Sequence, residues 1–148
     1  MSSPTVGRPV APTVSTPVAA VLDAVVIVVF AALGRMSHAE GMTAAGVVDT
    51  AWPFLVGAVL GWVVSYVLLS RAPTDSSGAV LVWVGTIAGG MLLRAMTGQG
   101  VATSFIAVAS IVTALVLLGW RAIARLLARG RGRTPSTGSG PRTASPHR

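Results

Sequence analysis

The sequence predicts an all-α membrane fold: an integral bundle of four transmembrane helices with disordered N- and C-terminal tails. Three observations carry that prediction. Apolar residues make up 53% of the 148-residue chain and charged residues only 10%, against about 25% charged in an ordinary soluble domain. So little charge cannot cover a water-facing surface, and lipid is the solvent that removes the need. The apolar residues fall into four runs, each near the ~20 residues that cross a hydrocarbon core of ~30 Å. Two of the breaks carry turn residues, Ala72-Pro73-Thr74-Asp75-Ser76-Ser77-Gly78 and Gly98-Gln99-Gly100.

Residues 1–16 are rich in Ser, Thr, Pro and Val, with Pro4, Pro9 and Pro12 and no periodicity, and read as a disordered leader. The four-helix domain occupies 17–121. Its first helix covers about 18–34. A signal peptide is the rival reading of that run, with Ser37-His38-Ala39 as a poor cleavage site; Asp23 inside the run and the long leader argue against it. The second, third and fourth helices cover about 50–70, 79–97 and 102–120. Residues 122–148 form a basic amphipathic extension, with Arg121, Arg125 and Arg129 at i, i+4 and i+8, followed by a disordered Gly/Ser/Thr/Pro/Arg tail.

The net charge is +7, there is no lysine, and seven of the eleven arginines lie between Arg121 and Arg148. Four spans put both termini on one side. That side holds Arg8, Arg71 and the arginines from Arg121 to Arg133, whereas the other holds Arg35 and Arg94. The positive-inside rule therefore places both termini in the cytoplasm, in a multi-pass protein of the inner, cytoplasmic membrane. Trp52 and Trp120 fall at opposite interfaces, where indoles anchor helices. The basic tail has no interleaved aromatics, so membrane lipid rather than nucleic acid is its expected partner. The Ala/Gly/Arg-rich, lysine-free usage suggests a bacterium with a GC-rich genome.

Helices in lipid associate through close backbone approach and polar contacts. Gly57, Gly61 and Ser65 make a small-residue stripe on the second helix, and Gly85 and Gly89 make another on the third. They serve either packing within the chain or an interface with a second copy or a larger membrane complex.

Ionisable groups inside a span are costly and mark sites. Asp23 lies in the first helix, and Ser65, Thr86 and Thr113 reach a similar depth on the other three. Together they form a candidate ion or proton site, the hydroxyls able to hydrogen-bond the carboxyl group; the alternative is a carboxyl held for structure alone. Arg35 and Arg94, with His38, Glu40 and Asp49, form a candidate polar cluster at the outer mouth. Two arginines can hold a phosphate, sulfate or carboxylate, or can pair internally with Asp49 or Glu40. Trp83 and Arg94 share one face of the third helix and Gly85 lies on the opposite face. One histidine and scattered acids make no metal site. The absence of cysteine removes disulfides, cysteine-ligated zinc and thiol catalysis. With no catalytic motif among the serines and no phosphate-binding loop, neither an enzyme nor a cofactor is expected.

The motif residues resemble a known family. They are Asp23, Phe30-Ala31-Ala32-Leu33-Gly34-Arg35 and Ser37-His38; Thr50-Ala51-Trp52-Pro53-Phe54, Gly57 and Gly61-Trp62; Trp83, Thr86, Gly90-Met91 and Leu93-Arg94; and Ser104-Phe105 with Gly119-Trp120-Arg121. In combination these are similar to domain-of-unknown-function family 3054, small prokaryotic membrane proteins. The resemblance covers about Pro17 to Arg121 and implies a four-helix membrane domain, with no activity attached. Pro53 is expected in the first turn of its helix, where a missing N–H costs little. The leading expectation is a small membrane protein that binds or moves a small solute or ion, with Asp23 as its inner titrating group; the second is a structural or accessory subunit of a larger membrane complex.

Overall fold

The computed structural model describes residues 14–36, 42–70 and 72–131. Most of the leader, the tail beyond 131, Arg71, the Ser37-His38-Ala39 segment and Glu40 lie outside the described residues. Four helices follow one another: α1 (Thr16–Met36), α2 (Ala44–Leu69), α3 (Ser76–Met96) and α4 (Thr103–Arg131). Even the 21-residue α1 and α3 are about 32 Å long at 1.5 Å per residue, enough to cross a bilayer core. All four are long and apolar enough to do so. Each helix packs on its neighbours in the chain, and α1 closes the ring on α4.

The distribution of polarity is inverted relative to a soluble protein. Val21, Val25, Val63, Val67, Leu92 and Leu115 face outward, while Asp23, Ser65, Thr86, Thr113 and Arg121 are buried. Only 22–33% of each span is buried inside the protein, so most of the apolar surface is left for lipid. Apolar side chains cost nothing there, and charged ones belong in the interior with partners.

The tightest seam joins α2 to α3. A Cβ on Gly57 would lie 2.6 Å from the Gly85 carbonyl oxygen, and one on Gly61 2.6 Å from the Val82 Cα. Gly85 meets Gly61 in return, and Gly89 meets Gly57. The two small-residue stripes therefore pack against each other within the chain, where dispersion and close backbone approach hold helices together without a hydrophobic driving force. Ile27, Phe30, Phe54, Ala58, Val82 and Ala109 fill the centre. Phe54 packs edge-on to Phe30 at 5.6 Å between centroids and lies 6.2 Å from Phe105.

Helix ends depart from the apolar runs where capping extends them. α2 begins at Ala44, six residues before the second run, because Thr43 caps it: its Oγ1 accepts from the Gly46 N–H at 3.1 Å. Pro53 is consequently the tenth residue of α2, buried in mid-helix, and not in a first turn. Asp75 caps α3 by accepting from the Gly78 N–H at 2.9 Å. At the far end of α3, Gly98 adopts φ +71°. The Gln99 N–H donates back to the Arg94 carbonyl and the Gly98 N–H to that of Ala95, the paired bonds of a left-handed glycine cap. α4 continues through Arg131.

Candidate functional site

Two polar centres lie at opposite ends of the bundle, about 18 Å apart along the twelve residues of α1 that separate Asp23 from Arg35.

At the first, Asp23 of α1 meets Arg121 of α4. The Arg121 Nη2 lies 2.7 Å from the Asp23 Oδ2, with both side chains 2% exposed, and Nη1 donates to Oδ1 at 2.8 Å. The Trp62 indole of α2 donates to Oδ2 and the Trp120 indole of α4 to Oδ1, each at 3.0 Å. The rest of the guanidinium is satisfied by backbone. Nε and Nη2 donate to the Pro73 carbonyl at 3.1 and 3.0 Å, and Nη1 donates to that of Leu117 at 2.8 Å. Arginine has five N–H groups, and each has an acceptor. The guanidinium also lies 4.3 Å from the centroid of the Trp120 ring, a cation–π contact. Pro73 comes close enough because Gly78 has no side chain: a Cβ there would overlap the proline.

This geometry corrects the expectation that hydroxyls on three helices bond the Asp23 carboxylate. Thr86 donates to the Val82 carbonyl of its own helix at 2.7 Å, and Thr113 to that of Ala109 at 2.6 Å, the back-bonding that buried helical threonines adopt. Ser65 Oγ is buried with no hydrogen-bond partner. Trp120, expected as an interface anchor, turns its N–H inward to Asp23. Arg121, read in the sequence as the start of an exposed basic stripe, is the principal partner of the intramembrane acid. The signal for it was available: antiparallel spans put the end of α4 level with the start of α1, and a buried acid needs a cation.

At the second centre all four helices contribute to one cavity of about 170 Å³. Phe30, Ala31, Gly34 and Arg35 line it from α1, Thr50 from α2, Arg94 from α3 and Phe105 from α4. The Arg35 guanidinium rests on the backbone of Gly46, where a Cβ would collide with it. The Arg94 guanidinium lies 4.7 Å from the centroid of the Phe105 ring. Gln99 holds it from the loop: Arg94 Nη1 donates to the Gln99 Oε1 and Nη2 to the Gln99 carbonyl, both at 3.0 Å. The Gln99 amide in turn donates to Asp49, to the backbone carbonyl at 3.3 Å and to Oδ1 at 3.4 Å. Pro53 explains that bond. In a regular helix the Asp49 carbonyl would accept from the N–H of residue 53, which proline lacks, and Gln99 takes the vacancy. Of the expected outer cluster the structure thus brings Arg35 and Arg94 to one cavity and joins Asp49 to Arg94 through Gln99. Sequence reasoning gave Gln99 no role. His38 and Glu40 lie outside the described residues. α3 packs on both sides, with Gly85 and Gly89 toward α2, and with Arg94 over Phe105 and the Trp83 N–H bonded to the Ser110 carbonyl at 3.0 Å toward α4.

An inverted four-helix bundle, valine outside and an ion pair inside, defines a small multi-pass membrane protein. The chain belongs to the family described as Protein of unknown function (DUF3054), the match covering residues 20–124. That stretch contains Asp23, Arg35, Arg94 and Arg121, and so both polar centres. No curated protein and no solved structure matches the chain.

Proposed function

We propose that this membrane protein binds a small anionic solute in the cavity between Arg35 and Arg94, and that the Asp23–Arg121 centre holds the opposite end of the bundle closed. One observation carries the reading: four helices converge on a cavity of about 170 Å³ whose lining includes two arginines, one on α1 and one on α3. Two guanidiniums at one half-buried cavity attract and orient an anion more strongly than they would in bulk solvent. In the orientation predicted by the arginine distribution, the cavity faces the outer side. The reading is of binding rather than catalysis.

It gives Asp23 a structural part. The carboxylate accepts four hydrogen bonds from two indoles and one arginine, which suits a fixed strut. The accessory-subunit reading loses the feature that recommended it, because the glycine stripes are used within the chain.

The test is calorimetric titration of the purified full-length protein in detergent with sodium benzoate and with sodium sulfate, repeated on Arg35→Gln and Arg94→Gln. Saturable binding of at least one anion, weakened tenfold or more by either substitution, is the expected result. Absence of binding by both anions at millimolar concentration would remove the reading.

A further inference from the structure

We infer that the anion for this cavity is a carboxylate carried on a small planar apolar body, of the size and shape of benzoate, and not an inorganic oxyanion. The inference rests on the anion-binding reading and narrows it to a ligand class.

Volume sets the first limit. A cavity of about 170 Å³ is close to the ~150 Å³ apolar cavity known to admit benzene, so a single ring with one small substituent fits. An acetate would leave most of the space unfilled, and a fused-ring or long-chain body would extend out through its mouth.

The chemistry of the wall sets the second. The lining is divided: Arg35, Arg94 and the Thr50 hydroxyl supply polarity, while Phe30, Ala31, Gly34 and Phe105 present carbon. A tetrahedral sulfate or phosphate points oxygens in every direction, and those facing the phenylalanines would be desolvated with no donor in reach, at a cost of several kcal/mol for a charged group. A carboxylate has both oxygens on one edge, which matches the fork of a guanidinium. Its opposite end asks for no hydrogen bonds and gains from burial against aromatic carbon. Arg94 lies over Phe105, so one wall presents a cation and an apolar ring side by side, the pairing that an aromatic or short branched carboxylate presents in return.

The experiment is a competition series on the full-length protein in detergent: benzoate, acetate, sulfate, octanoate and the neutral isostere benzamide, each by calorimetry on wild type and on Gly34→Leu. Gly34 lines the cavity, and a Cβ there meets no heavy atom within 4 Å. A leucine has room to enter without breaking any polar contact, so this variant tests the cavity even if Arg94→Gln fails to fold. Benzoate is expected to bind at least tenfold more tightly than acetate, sulfate and benzamide. Gly34→Leu is expected to keep the wild-type melting temperature and to lose benzoate affinity tenfold or more. Sulfate or acetate binding as tightly as benzoate would overturn the inference while leaving the anion reading intact. Octanoate binding more tightly would also overturn it, by making the ligand a lipid-derived chain that leaves the cavity between helices. Benzamide matching benzoate, or no ligand binding at all, would remove the anion reading itself.

Discussion

The two ends of the bundle place arginine in the membrane in opposite ways. At the Asp23 end the cation is matched: one carboxylate and two backbone carbonyls accept from every donor of Arg121, and two indoles donate to the same carboxylate. At the Arg94 end two arginines flank a cavity with aromatic walls, and the acid nearest Arg94 in its hydrogen-bond network, Asp49, is exposed and reached through Gln99. The lesson is that an intramembrane charge is informative through its surroundings. Where the count of donors and acceptors closes and no space is left, the charge joins helices. Where charges border a void, binding of a solute is the reading to test.

The comparison is broken most directly at the closed end. Asp23→Ala leaves Arg121 buried without its counter-ion, and removal of one member of a buried pair costs about 3–5 kcal/mol. Unfolding of the variant in detergent is expected to begin at markedly lower temperature or denaturant than wild type. Arg121→Met alone should be comparably damaging, yet the double replacement Asp23→Leu with Arg121→Met should recover most of the loss, since packed apolar groups can replace an ion pair at little cost. A double variant as unstable as the sum of the singles would show that the indole and Pro73 contacts, rather than the charge pair, hold this end.

How far the sequence predicts this arrangement depends on whether a feature is local. The four spans are runs of apolar residues, each visible without reference to the others, and Asp23, Arg35 and Arg94 stand out as ions within or beside them. The glycine stripes predict close helix contact, though not which surface they contact. Arg121 is misjudged because its local pattern, repeated at Arg125 and Arg129, is that of a solvated basic face; only the antiparallel return of α4 to α1 identifies its partner. Trp62 looks like one more apolar residue until its N–H is placed against Asp23. Gln99 has no local signal at all: its role arises because the Thr43 cap starts α2 early, which puts Pro53 in mid-helix and frees the Asp49 carbonyl.

The seam between the two ends gives the next effect in size. Gly61 meets the Val82 backbone, and Gly57 the backbone of Gly85 and Thr86. A side chain at either position cannot be absorbed by a rotamer change, so α2 and α3 must separate. Gly61→Val is expected to destabilise by roughly 1–3 kcal/mol, the usual range for overpacking, and to shift the unfolding transition by less than Asp23→Ala does. Because the seam is internal, size-exclusion chromatography with light scattering should give the same oligomeric state for the folded variant as for wild type. A change of oligomer with preserved thermal stability would assign the glycines to an interface between copies.

The smallest stability effect, and the sharpest separation of the two ends, belongs to Gln99. Gln99→Ala removes the acceptor Oε1 and the amide that reaches Asp49, while the Gln99 backbone carbonyl still accepts from Arg94. The site is near the surface and open to water, so the loss should be about 1 kcal/mol. Gln99→Glu keeps the shape and sets a carboxylate 3.0 Å from the Arg94 Nη1 position. If Arg94 contributes positive charge to the cavity, this variant should bind benzoate at least tenfold more weakly, because the new carboxylate competes for Arg94, and should melt slightly below wild type, because an oxygen replaces the amide that donates to Asp49. Equal benzoate affinity in Gln99→Glu and wild type would mean that Arg94 contributes packing over Phe105 and no charge to the cavity, and the contrast between the ends would reduce to one of shape.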